Sequence, residues 1–343
     1  FTTRSGRVDE DLRQFDVRGN AKKTGTVIKS DYWNIKPHTE RKLEILDKYL
    51  NAWCDIIFKY YQKNPSWTAW QTPFYVDCFS GRGMYHKNGE LDSVKGSPIV
   101  AIEKFIEKKK SFEQKFNILI KPRIRLIEFV PDYAQELDSF VKPYSEDIDI
   151  KVLCGDFNDL IGSVVNETGY SPTFFFVDAG GIKELKKESV EKIVTKNGAR
   201  DILLNYVVDG QIRIGGLAQS IFDGTYKGNR IEGAFKTIER LEDFTGMEIA
   251  KFLEETKNDY RDALTTYVDN VLHANNKVKK ESDRLHTIVY DMKDIKRQKL
   301  VYYLLFSTRK SVATDVMKSI FKDSKKRETN QTSMFDPEIW EIK

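Results

Sequence analysis

The stretch that most constrains this chain is Phe74-Tyr75-Val76-Asp77-Cys78-Phe79-Ser80-Gly81-Arg82-Gly83. An apolar and aromatic run enters an aspartate, and two glycines one residue apart follow. Such a run reads as a strand buried on both faces, the form strands take in a parallel sheet. Gly81 and Gly83 permit positive φ and let a ligand approach the backbone closely. In an open α/β sheet a loop of this kind leaves the carboxyl end of the first strand, where ligands of nucleotide type bind. Two other loop types are excluded. A dinucleotide fingerprint needs a further glycine, which Tyr85 and His86 do not supply, and Gly-x-x-x-x-Gly-Lys-Ser/Thr is absent. The remaining alternative is an ordinary β-to-α turn.

The same rhythm repeats downstream. Strand two is expected at Ile124 to Phe129, with Glu128 near its end, and strand three at Ile148 to Cys154, followed by Gly155-Asp156-Phe157-Asn158-Asp159. Strand four, Thr173 to Val177, runs into Asp178-Ala179-Gly180-Gly181, and strand five, Ile202 to Val208, holds Asn205 in an otherwise apolar run. Helices are expected between them. One starts at Ser97-Pro98, a good N-cap with proline at the first helical position. Another precedes strand one, from His38 to Lys63, where Leu43, Leu46, Leu50, Trp53, Ile57 and Tyr60 recur at helical spacing. On it, His38 and Lys42 are one turn apart and either face the glycine loop or form a solvated helix start. Strands six, Thr287 to Tyr290, and seven, Val301 to Thr308, are joined by a short link that suits an antiparallel ending. The expected fold is therefore α/β: a Rossmann-like, seven-stranded, mostly parallel sheet with a helical insertion.

Boundaries follow from composition. Residues 1–33 mix basic and acidic side chains with few apolar anchors and read as an N-terminal extension. Residues 34–210 form the core and 211–285 a helical cap. Residues 286–323 complete the sheet and its last helix, and 324–343 read as a polar tail. The segment Tyr85 to Val94 reads as a surface loop near the ligand mouth, and Met247 to Val271 as helix.

At 343 residues with 40% apolar side chains, 21 Phe and 16 Tyr, the chain can bury a large core. No window approaches the roughly 18 consecutive apolar residues of a membrane span. The opening residues are polar and carry no secretion signal, and Phe1 in place of a Met suggests a missing upstream piece. Three cysteines, Cys54, Cys78 and Cys154, make neither a disulfide framework nor a zinc cluster; buried free thiols in a reducing cytoplasm are expected. A net charge of +4, from 56 basic and 52 acidic residues, does not call for nucleic acid. The clusters Lys108 to Lys110 and Lys322 to Arg327 could contact phosphates or be solvated faces.

Three strand ends carry candidate binding groups. Glu128 can accept two hydrogen bonds from a vicinal diol such as ribose, or is a surface acid at a strand end. Asp156 and Phe157 set a carboxylate and a ring just past strand three, while Asn158 and Asp159 could simply cap the next helix. Asp178 leaves strand four at the mouth of the same crevice.

With these pieces placed, Asp77-x-Phe79-x-Gly81-x-Gly83 has the form found in S-adenosylmethionine (SAM) methyltransferases of the amino-group type. The chain resembles the three-Cys-motif partner family, TcmP. The resemblance rests on His38-Thr39, Lys42, Leu46, Tyr49-Leu50 and Trp53, on the glycine loop, and on Gly96-Ser97-Pro98. Glu128, Asp178, and Tyr302-Tyr303 with Phe306 and Thr308 complete it. It spans residues 33 to 323 and implies a methyltransferase-type fold with SAM as cofactor. Asp77, Phe79, Ser80, Gly81 and Gly83 would then cradle the methionine and ribose end. Glu128 would hold the ribose hydroxyls, Asp156 and Phe157 the adenine, and Asp178 would orient or deprotonate the acceptor. It also implies a radical-SAM-like partner carrying the cysteine motif, and a phage-defence or mobile-element setting. The family has Asp-Pro-Phe-Gly after strand four, whereas this chain has Asp178-Ala179-Gly180-Gly181. Losing the proline-aromatic pair, which fixes and stacks a base, leaves the acceptor open. Two rival expectations stand beside methyl transfer. One is an inactive adaptor of the same fold; the other is a metal-dependent nuclease with Asp77, Glu128, Asp156 and Asp178 around Mg²⁺.

Overall fold

The computed structural model describes residues 34–69, 71–228, 231–257, 260–274, 276, 280, 283–294, 300–326 and 339–342. The expected N-terminal extension and most of the segment after 326 lie outside them.

The strands β1 (Phe74–Asp77), β4 (Arg123–Glu128), β5 (Asp149–Cys154), β6 (Thr173–Val177) and β7 (Arg200–Val207) are parallel and lie in the order β5-β4-β1-β6-β7. All but edge strand β5, where Asp149, Lys151 and Cys154 are exposed, are largely buried on both faces, and alternate residues feed two separate cores. Tyr75, Phe174, Phe176 and Leu203 point to one side. Val76, Phe175, Val177, Ile202 and Leu204 point to the other, as the two-residue period of a strand requires. The first core is closed by α1 (Pro37–Lys63), α2 (Ser97–Phe116) and α10 (Ser311–Lys326). Along α1, Leu46, Tyr49, Leu50 and Trp53 form the buried stripe, and Tyr49 and Trp53 pack on Phe174. The second core is covered by α4 (Phe157–Thr168), α5 (Lys187–Thr195) and the helices after β7. The sheet's short α3 (Pro131–Val141) follows β4.

The ending is antiparallel, as the short link suggests. The strand β9 (Leu300–Thr308) inserts between β7 and β8 (His286–Lys293), antiparallel to both. One more strand follows, so among the described residues the sheet has eight strands and not seven. Strand β10 (Ile339–Ile342) pairs antiparallel with β8 and covers its open edge. An uncovered edge exposes unpaired backbone groups, which is why a short Ile-Trp-Glu-Ile segment suffices to bind there.

Two local expectations change. Residues read as a surface loop form a hairpin, β2 (Met84–Lys87) and β3 (Glu90–Lys95), turned at Asn88-Gly89 with φ of 53° and 86°. Positive φ at both centre positions is what Asn-Gly supplies. The helix expected across Met247 to Val271 breaks into α8 (Ile249–Glu255), α9 (Tyr260–Tyr267) and a π-helical turn, Val268–Leu272. Thr256-Lys257-Asn258-Asp259 offers no apolar residue to continue the stripe, and Asn and Asp compete for backbone hydrogen bonds. Before them lie α6 (Asp209–Phe222) and α7 (Ile231–Thr245).

Of the three thiols, Cys54 and Cys78 are buried and Cys154 is exposed, at the end of edge strand β5. The basic run on α2 is paired: Lys108 with Asp55, Lys109 with Glu113 and Lys110 with Asp147. No described helix is long and apolar enough to cross a membrane.

Candidate functional site

The winding reverses at β1. The chain goes from β1 to β4 and β5 on one side, then returns to β6 on the other. A crevice outside the carboxyl ends of the strands at such a reversal is where open α/β sheets bind ligands. The loop after Asp77 spans it. The Cys78 amide donates to the Phe176 carbonyl of β6, and the Ser80 amide to the Ile127 carbonyl of β4, both at 2.9 Å.

Inside the loop, the Phe79 amide donates to Asp77 Oδ1 at 3.3 Å, and the Ser80 hydroxyl turns inward to the Asp77 carbonyl at 3.2 Å. Gly81 and Gly83 have φ of 61° and 91°. Gly83 also serves packing, since a Cβ there would meet Leu137 Cδ1 at 2.9 Å. Asp77 is fully buried and accepts from the Tyr75 hydroxyl at 3.0 Å. Burial pushes its carboxyl up to about 7, against the opposing hydrogen bonds of Ser97, Tyr75 and the Phe79 amide.

Glu128 is tied to this loop. Its Oε2 accepts from the Gly81 amide at 2.8 Å and its Oε1 from the Val130 amide at 2.7 Å. Burial raises its pKa, and the Val130 and Gly81 amides partly offset that. The Phe129 amide contributes as well, and a carboxylate's four lone-pair sites still leave acceptor capacity beyond these backbone bonds. The Phe79 and Phe157 rings touch at 5.0 Å between centroids, inclined by 37°. Phe79 is half-buried, but Phe157 is only 3% exposed and belongs to the core on the α4 side. Asp156 is the N-cap of α4, accepting from the Asn158 amide at 2.7 Å. The cap expected of Asn158 or Asp159 is thus made by Asp156. Phe129, directly after Glu128, is 65% exposed; its sequence signal was an aromatic residue at the end of a strand beside the candidate acid.

Asp178 belongs to a second group. Its Oδ1 accepts from Lys42 Nζ at 2.5 Å and from Asn205 Nδ2 at 2.9 Å. Its Oδ2 has no hydrogen bond from a described residue. Lys42 is buried on the first turns of α1 and sits 5.2 Å from the Tyr302 ring centre. The expected turn-mate, His38, meets the same ring edge-on at 5.9 Å. Asn205 is the group sequence reasoning missed; the signal was a lone polar residue inside apolar β7. Its Oδ1 is buried and has no partner among the described residues, which is an acceptor waiting for a donor.

These residues open onto a cavity of about 790 Å³, lined by Lys42, Asp178, Asn205 and Tyr302, and walled by Ile214 and Leu217 of α6 and Thr237 of α7. Asp77, Glu128, Asp156 and Phe157 do not line it. Around its rim Lys36, Lys183, Arg213 and Arg240 are exposed and form no ion pair with a described residue. The crevice thus divides into a loop side, built by Asp77 to Gly83 with Glu128, and a side beyond Asp178 that holds the cavity. Among the described residues no three His, Cys, Asp or Glu side chains converge in a way that could hold a metal ion. The carboxylates of Asp77, Glu128, Asp156 and Asp178 each answer to separate partners.

No protein-family model matches the chain, and no curated protein is similar to it. Solved structures are similar to it at low identity. Protein LPL1258 from Legionella pneumophila, described by the family model DUF519, is 10% identical over 88% of this chain and 96% of its own, with a TM-score of 0.40. An O-methyltransferase from Bacillus cereus, in complex with SAH, is 13% identical over 81% and 84%, with a TM-score of 0.37. A geranyl diphosphate C-methyltransferase from Streptomyces coelicolor is 8% identical over 74% and 79%, with a TM-score of 0.26.

Proposed function

We propose that this chain is a SAM-dependent methyltransferase of the three-Cys-motif partner type, acting on an anionic acceptor that enters the cavity beside Asp178. The observation that carries the cofactor assignment is the bond from the Gly81 amide to Glu128, which fixes an acidic strand end against a glycine loop at the reversal point. The strand order, with an antiparallel β9 between β7 and β8, suits this reading. The residues present fit the group. Gly81 and its neighbours offer open backbone, Glu128 keeps acceptor capacity for ribose hydroxyls, and Phe79 and exposed Phe129 offer rings for a base. Bound SAM supplies an electrophilic methyl group on a sulfonium. What the chain adds is placement. Asp178 Oδ2 accepts a hydrogen from the acceptor, Asn205 Oδ1 accepts another, and Lys42 holds Asp178 in position. The resemblance to the TcmP family further supports a cysteine-motif partner and a phage-defence setting. Among the described residues no convergent carboxylate cluster favours the nuclease alternative.

The cofactor reading is tested by calorimetric titration with SAM and with S-adenosylhomocysteine, after bound ligand is stripped. Micromolar binding is expected, weakened more than tenfold in Glu128→Ala. An unchanged dissociation constant in that variant would remove the ribose assignment, and no binding of either compound would favour the adaptor reading.

The rim gives a second expectation. If the anionic acceptor is nucleic acid, affinity for a single-stranded oligonucleotide falls as salt rises, by roughly 0.7 in log–log slope per phosphate contact. Replacing Arg213 and Arg240 together by Gln should then reduce that slope by about 1.4. A slope that does not change would show that nucleic acid does not cross this rim.

A further inference from the structure

A second cavity, of about 560 Å³, lies at the opposite ends of the strands. Thr173 at the start of β6 lines it, whereas Asp178 at the other end of β6 lines the first cavity. At about 3.3 Å per strand residue, the two are roughly 17 Å apart. Its volume falls within the range of small-molecule sites, about 300–1,000 Å³.

Its walls are aromatic. Tyr49, Trp53, Tyr60, Tyr61, Trp67 and Tyr170 line it. Tyr60 and Trp67 meet edge-on at 4.9 Å. Four of its lining residues, Ile56, Tyr60, Tyr170 and Val312, are large apolar side chains left exposed at the surface. Two backbone segments meet closely at the rim: Gly198 has φ of 77°, and a Cβ there would lie 2.3 Å from the Tyr170 carbonyl oxygen.

The side chains that line this cavity carry more positive than negative charge, although Asp283, outside the lining, pairs with Arg309. Arg200, Arg309 and Lys310 line it, against the one acid Asp201. Asp201 is already engaged, accepting from the Tyr49 hydroxyl at 2.7 Å and the Thr308 hydroxyl at 2.5 Å. Arg200 is 6% exposed, and its Nε has no hydrogen-bond partner among the described residues. Arg309 Nε and the fully buried Tyr61 hydroxyl are in the same state. Lys196 behind them spends its ammonium on the carbonyls of Gly169, Ser171 and Asn197. Burial and the nearby Arg309 pull Arg200 down to about 10. Arg309 is ion-paired with Asp283 and donates to the Gly198 carbonyl, but no ion pair engages Arg200 among the described residues. Two open Nε donors on neighbouring cations, lining an aromatic slot, describe a site that can take an anion.

We infer that this cavity binds a flat aromatic molecule carrying one anionic group, with its ring among Tyr60, Trp67 and Tyr170 and its carboxylate, sulfonate or phosphate at Arg200 and Arg309. The site is separate from the crevice at the other end of the sheet and holds whether or not that crevice binds SAM. The probe is 1-anilinonaphthalene-8-sulfonate, with N-phenyl-1-naphthylamine as its uncharged counterpart. The folded chain is expected to bind the sulfonate probe saturably at one per chain, and more tightly than the uncharged one. Arg309→Gln should weaken the sulfonate at least tenfold while leaving the uncharged probe nearly unchanged, and Val312→Glu, at the exposed mouth, should weaken both. Tyr60→Ser, at an exposed ring, should weaken both as well and replaces Arg309→Gln if that variant melts below the parent. Non-saturable binding, more than one probe per chain, or equal dissociation constants in the parent and all correctly folded variants would overturn the assignment.

Discussion

At pH 8 an Asp77→Asn variant should melt several degrees above the parent chain, and it should bind SAM at least tenfold more weakly. Asp77 is fully buried at the end of β1, and its folded carboxyl titrates at about 7 where an unfolded one titrates near 3.8. Between those values the folded state binds the proton that the unfolded state has lost, so stability falls as pH rises through the window. The stabilising margin is complete below the unfolded value and gone above the folded one. About three pH units correspond to at most about 4 kcal/mol. Asparagine has the same shape and no charge, so it escapes this loss. The difference between variant and parent should be close to zero at pH 4 and largest above pH 7.5. A constant difference at both pH values, or a variant that melts lower at pH 8, would show that desolvation of Asp77 is not what destabilises the loop. The binding loss follows from the same carboxylate, since a fixed negative charge beneath the glycine loop favours a cationic sulfonium and ammonium ligand. A buried charge that weakens the fold yet serves a site is the usual exchange between stability and function.

The sheet was legible because its central parallel strands β1, β6 and β7 are mostly apolar runs closed by turn residues. Phe174, Phe175 and Phe176 can only be buried on both faces, and Asp178 with Gly180 and Gly181 can only follow a strand end. The hairpin was signalled by Asn88-Gly89, but its flanks, Tyr85-His86-Lys87 and Glu90-Leu91-Asp92, lack the alternation that marks a strand. It is held from outside instead: the Gly96 amide bonds the Gly83 carbonyl at 2.7 Å, and Arg82 reaches back to Asp92 at 3.0 Å. Strand β10 was illegible for a similar reason, because what specifies it is the open edge of β8, not its own four residues. In the site, the Gly81 loop and Glu128 were each legible as strand-end groups, but the bond that joins them was not. The group around Asp178 was legible only in pieces: Asp178 was placed at the crevice mouth and Lys42 was one of a pair that could face it, but with Asn205 they come from three distant elements and nothing in the sequence joined them. Asp156 shows the reverse case: the sequence offered Asn158 or Asp159 as the helix cap, and the fold uses the carboxylate just before them.

Asp178→Ala should reduce methyl transfer from labelled SAM by a hundredfold or more while leaving SAM affinity within about threefold. A positioned side chain that exchanges a proton with the reacting group contributes roughly 10²–10⁴ in rate. Asp178 has the geometry for that role, with Oδ1 held by Lys42 and Asn205 and Oδ2 left for the acceptor. The variant carries a structural penalty that must be separated out. Lys42 is buried, and stripping a buried charge of its partner costs about 3–5 kcal/mol. Asp178→Ala should therefore melt lower than the parent, and adding Lys42→Met should restore the melting temperature without restoring transfer. Lys42→Met and Asn205→Leu alone should each slow transfer. Combined, they should slow it no more than Asp178→Ala does, because both act through the same carboxylate and residues that work as a unit are not additive. Full transfer by Asp178→Ala would remove Asp178 from the chemistry. Parent protein that binds SAM but passes no label to any acceptor pool would leave the fold in an adaptor's role, with Lys42 and Asp178 as a buried pair that only fixes α1 to the end of β6.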